Sequence, residues 1–239
     1  MNTEDKFEDQ GFDPSTLSYD EFVQFFFTHP PSDELWRLDG NGRPIDRAWD
    51  FDRPTDLIAH LTRLFINIES LSRTISVAHL EHGLDGVMCG VFQIPTVLWK
   101  YESPLEPRIE CIRAMYHVFS DIVAKLPAEV EFSSGWMWWD HVCWNFTLDI
   151  EQREKIQEGD YYHLLSPDER ALADCMFETI LRVLALGEIR CDDAALHGLN
   201  HLRHPRARFS VQAYIDAHRA SVTPERLNWL EACRDGAYI

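Results

Sequence analysis

At 239 residues, 45% hydrophobic and 26% charged, the chain has the composition of a soluble globular protein built as one domain or two closely packed lobes. Its 40 carboxylates against 22 lysines and arginines leave a net charge of −18, which argues against nonspecific attraction to nucleic acid or an anionic membrane surface. No run of about 18 apolar residues occurs and the N-terminus MNTEDKFEDQGFD is acidic, so neither a membrane span nor a leader is expected and the location reads as cytoplasmic.

Residues 1–17 read as a loosely docked acidic tail. Within residues 1–60 there are 14 Asp and Glu against 5 Lys and Arg, half of the net charge of the whole chain. Ser18 with Glu21 three residues on is a capping-box signal for a helix over Tyr19–Thr28, ended by His29-Pro30-Pro31. Asp39-Gly40-Asn41-Gly42 is a turn signal, and a small β-hairpin near residues 36–46 is the most strand the chain is expected to hold. From Pro54 the apolar residues Leu57, Leu61, Leu64, Ile68, Leu71 and Ile75 alternate steps of four and three, which predicts one amphipathic helix, with Asp52 as its candidate cap. Ser76 opens a further helix to about Phe92. Residues 105–126 carry Ile109, Ile112, Met115, Phe119, Ile122 and Leu126 on one face of another.

The segment SGWMWWDHVCWNF predicts a short helix with Trp136, Trp139 and Cys143 on a buried face and Trp138 pointing outward. Asp149–Asp160 is polar and reads as the connection between an N-terminal lobe, 18–150, and a C-terminal lobe, 151–239, packed as one continuous unit. Ser166, Pro167 and Glu169 open a helix that ends at Gly187, and shorter helices are expected over 192–203, 207–219 and 224–235. His204-Pro205 separates the first two of these, because a residue before proline is pushed out of the helical region. The six cysteines form no C-x-x-C pair and read as reduced, buried apolar residues.

The expected fold is therefore all-α. The stretch ALHGLNHLRHP followed by an amphipathic helix resembles a degenerate HEAT-type repeat. Together with YDEFVQFFFTHP, IECIRAMYHVFSDIV and WMWWD, it makes the chain similar to a bacterial family of HEAT-like proteins of uncharacterised function. That resemblance implies an α-α superhelix that serves as a scaffold or binding surface rather than an active site.

Two kinds of function follow. The preferred one is a protein-binding module, of an immunity or antitoxin type, that needs no cofactor. It would take a basic protein partner through acidic residues, with Trp138 and Asp140 as an exposed anchor and Arg203, Arg206 and Arg208 as a basic hinge cluster. The alternative is a metal-dependent helical hydrolase or oxidase. His197 and His201 stand four apart on one helix face, with Asp193 a further turn back, so the three are candidate ligands of a transition-metal ion. Gly198 stands where a H-E-x-x-H motif would place its glutamate. His79 and His82 are candidate ligands of a second ion, but the Glu-x-x-His pair of a dimetal bundle is missing and surface positions are expected for both. His117 and His141 read as half-buried, hydrogen-bonded rings. Carbohydrate stacking on the tryptophan segment is the third possibility considered.

Overall fold

The computed structural model describes residues 12–28, 50–88, 92, 94–99, 103–127, 129–130, 132–143 and 161–236. The hairpin expected near 36–46, the tail up to residue 11, Trp144 and the connection 149–160 lie outside the described residues. The described residues are all-α and contain no strand. None of their helices is long and apolar enough to cross a membrane.

Helix α1 (Tyr19–Phe27) begins at the capping box, with the Ser18 side chain accepting from the Glu21 amide and the Glu21 carboxylate accepting from Ser18. Residues 12–17, expected as tail, are docked instead. The Asp13 carboxylate accepts from the amides of Ser15 and Asp52, and Phe12 stacks on Phe25. The expected cap Asp52 does not take that role: the next helix starts from Arg53, without a side-chain cap and with Pro54 in its first position.

The helix expected from Pro54 to Ile75 divides into α2 (Pro54–Ile66) and α3 (Ile68–Ser72). Asn67 stands at the break. Its side-chain amide donates to the Arg63 carbonyl at 2.8 Å, sharing that acceptor with its own backbone amide, which is also 3.2 Å from the Leu64 carbonyl. Helix α4 (Val77–Met88) follows the Ser76 cap, and α5 (Leu105–Ala114) follows Pro104. Beyond α5 the expected rod continues as a π turn over Val118–Ile122 and a 3-10 turn over Val123–Lys125. Those turns place Phe119 against the tryptophans of α6 (Trp138–Val142).

Helix α7 (Pro167–Leu184) has the expected capping box and proline at its start, and Gly187 just beyond it takes a positive φ of 66°. Helix α8 (Ile189–Leu202) is capped by the Glu188 carboxylate, which accepts from the amides of Arg190 and Cys191. Arg190 also donates to the carbonyls of Leu126, Pro127 and Val130, tying the start of α8 to the end of the preceding rod. Arg203, left-handed at φ 47°, ends α8 just ahead of His204-Pro205. Helices α9 (Ala207–His218) and α10 (Pro224–Asp235) complete the chain.

Packing runs α2 on α5, α5 on α7 and α7 on α8, with α6, α9 and α10 also lying against α8. The two expected lobes thus share one core through α5 and α7. Cys111, Cys143, Cys191 and Cys233 are buried in it as free thiols. Burial pushes the thiols of Cys111, Cys191 and Cys233 up to about 12, so they behave as small apolar groups.

Candidate metal centre

Helix α6 is short, and packing rather than propensity holds it. Trp138 and Trp139 are both wholly buried, Trp138 edge-on to Phe65 and Phe119, and Trp139 stacked on Phe119 at 5.7 Å and 9°. Truncating either ring would cost about 3–5 kcal/mol. The outward-facing anchor expected at Trp138 is therefore absent. The helix begins only at Trp138, so helical periodicity does not reach back to Trp136, and it is Trp136 that stands partly exposed.

Seated this way, α6 presents Asp140 to the face of α8 that carries His197 and His201. Gly198 makes the approach possible. A Cβ there would lie 2.6 Å from two ring carbons of Trp139 and 2.7 Å from its Cβ, so only a residue without a side chain lets the two helices close. The Asp140 Oδ1 atom lies 3.6 Å from His197 Nδ1 and 3.6 Å from His201 Nε2. One ligand atom from each of the three residues falls within 4.8 Å of the others, and no second such group occurs among the described residues.

Asp140 and His197 are buried and His201 is partly so. The Trp136 ring stacks on His197 with centroids 4.6 Å apart, while the Trp136 carbonyl is 3.2 Å from His197 Nδ1. Asp140 Oδ1 and His201 Nε2 are both buried without a hydrogen-bond partner. Other buried polar atoms also lack one, including the indole nitrogens of Trp138 and Trp139 and Asp192 Oδ1. Asp140 and His201 differ in that their orphaned atoms face each other. Burial pushes the Asp140 carboxyl up to about 7. Burial, with lesser contributions from His197 and Arg203, takes His201 down to about 4, and burial lowers His197 despite its contact with the Trp136 carbonyl. Each group is driven toward its neutral form, and no lysine or arginine of the described residues pairs with the acid.

The other sequence candidates go elsewhere. Asp193 does not join the histidines; it pairs with Arg226 of α10, whose guanidinium lies over Trp229 at 4.2 Å. Arg203 donates to the Gly236 carbonyl, Arg206 pairs with Glu178 at 2.8 Å, and Arg208 lies 3.6 Å from Asp235, so the hinge arginines have separate intramolecular partners. His79 is partly buried and bonded to Ser76, and His82 is buried, so neither holds the open surface position expected of it. His117 pairs with Asp121 at 3.0 Å, and His141 is half-buried near Asp85. The residue that sequence reasoning misplaced is Asp140, read as part of a surface anchor. Its signal was a carboxylate set directly after the apolar run WMWW, where a buried charge requires a partner.

Compared with known protein families, characterised proteins and solved structures, the chain matches none.

Proposed function

We propose that this chain is a metal-dependent helical protein in which Asp140, His197 and His201 hold one divalent transition-metal ion, zinc foremost. The observation that carries the reading is the pair of orphaned buried atoms, Asp140 Oδ1 and His201 Nε2, aimed at each other 3.6 Å apart. Two ligand atoms on a tetrahedral zinc ion are about 3.3 Å apart at normal bond lengths, so a small inward movement of the side chains suffices. One carboxylate and two imidazoles are a donor set that zinc accepts once His197 Nδ1 exchanges the Trp136 carbonyl for the ion, and the ion would supply the positive charge that the buried carboxylate lacks.

Three protein ligands leave the fourth position to water, the arrangement of catalytic zinc sites rather than structural ones. The corresponding reaction class is hydrolysis by a metal-activated water. A protein-binding scaffold, with a HEAT-like superhelix as its frame, is the second reading. Phe209, 75% exposed on the first turn of α9, favours it, while the burial of Trp138 removes the anchor it relied on.

The deciding experiment is elemental analysis of untagged protein prepared without chelator, then again after zinc incubation and dialysis. About one equivalent of metal in the wild type, and none in His201→Gln or Asp140→Asn variants of unchanged helical content, is the expected result. A wild type that stays metal-free through zinc incubation, or variants that keep their metal, would overturn the assignment.

A further inference from the structure

A cleft of about 420 Å³ lies between α5 and α7, away from the triad's ligands. In a chain with nearly two carboxylates per cation, three arginines line it: Arg113 from α5, Arg182 from α7 and Arg206 from the hinge. The two carboxylates in the same wall each have a partner, although the Glu178 pair is itself more than half exposed on both sides. Glu178 pairs with Arg206 at 2.8 Å. Asp174 accepts from the Tyr162 hydroxyl at 2.6 Å and lies 2.8 Å from His204 Nε2.

Arg182 stands differently. Its guanidinium lies over the Tyr116 ring, 4.0 Å from the centroid, and no carboxylate of the described residues is within ion-pair distance. Arg113 faces Glu106 at 3.8 Å, a pair more than half exposed on both sides and held weakly for that reason. A guanidinium fixed on an aromatic face keeps its donors in a rigid fork suited to a planar or tetrahedral oxyanion. Ile109 and Ala171 give the cleft an apolar stretch beside those donors.

We propose that this cleft binds a small, multiply charged oxyanion ligand, with Arg113 and Arg182 as its recognition residues. A phosphate ester and a di- or tricarboxylate share that chemistry, and the apolar stretch would take the ligand's carbon skeleton. The inference does not rest on the metal centre and stands if that centre is empty.

The test is calorimetric titration of the full chain with inorganic phosphate, pyrophosphate and citrate at fixed ionic strength, chloride serving as the reference anion. Titrations on His201→Gln separate anion held in the cleft from anion held on a metal. The expected result is saturable binding of at least one of the three, kept in His201→Gln, kept in the surface control Arg208→Gln, and weakened at least about tenfold by Arg182→Gln or Arg113→Gln. Preference for pyrophosphate over citrate assigns a phosphorylated ligand, and the reverse assigns a polycarboxylate; either supports the site. Failure of all three to exceed chloride, or binding indifferent to both arginine variants, would overturn it.

Discussion

Two histidine–aspartate sets lie at the same end of α8, and they are built to opposite standards. His204, just past the helix, is buried, stacks on Phe177 at 4.3 Å, and lies 2.8 Å from Asp174 through Nε2. Its Nδ1 accepts from the Arg206 amide, which fixes the Nε2–H tautomer, and Asp174 takes a second hydrogen bond from Tyr162. Both ring nitrogens of His204 have their partners, so the set locks the turn between α8 and α9. His201, one turn earlier, faces Asp140 at 3.6 Å with both atoms unpartnered. The residue types are the same, and what separates a finished structural contact from a receptive site is whether donor and acceptor counts close.

The comparison breaks most sharply under pH. In metal-free protein the Asp140 carboxyl is raised from 3.8 to about 7 by burial. A folded pKa above the unfolded one gives stabilisation that is complete below about pH 4 and lost as the pH rises through about 7. Asp140→Asn removes that loss. Urea melts with chelator present should therefore show the variant gaining on the wild type between about pH 4 and 7, by a difference on the order of a few kcal/mol. His197 and His201, lowered by burial, lose stability toward acid in both proteins and largely cancel in the difference. A difference that stays flat with pH would remove Asp140 as the buried acid.

His204→Ala tests the finished set. Loss of the ring and its hydrogen bonds should cost about 2–4 kcal/mol in the same melts, while metal content stays that of the wild type. Equal metal loss would merge the two sets into one. The smallest effect belongs to Tyr162→Phe, about 1 kcal/mol. Burial raises the Asp174 carboxyl, and the hydrogen bonds of Tyr162 and His204 outweigh it to leave a net lowering. Removing the hydroxyl should therefore move the Asp174 titration upward, which carboxyl NMR shifts would follow; a titration that stays in place would deny Tyr162 that role.

The sequence made the local features legible and left the convergent ones hidden. The boxes at Ser18 and Ser166, the left-handed glycine after α7 and the His204-Pro205 break depend on residues within one or two turns, and all appear. The histidine pair was legible for the same reason, as spacing on one helix. Its third member was not, because Asp140 reaches the pair across 57 and 61 positions through the seating of two tryptophans, and pattern along the chain carries no record of that. Helical period also misassigned Trp136 and Trp138, since α6 is wedged between neighbours and buries both faces.

Gly198 sets a boundary on how this protein could be improved. Exchanging a mid-helix glycine for alanine is a standard thermostabilising move, gaining up to about 1 kcal/mol where the helix is free. At position 198 the new methyl would wedge α6 away from α8. An engineer optimising helix content alone would thus trade the close crossing of α6 and α8, and the convergence of three side chains behind it, for a better-behaved isolated helix.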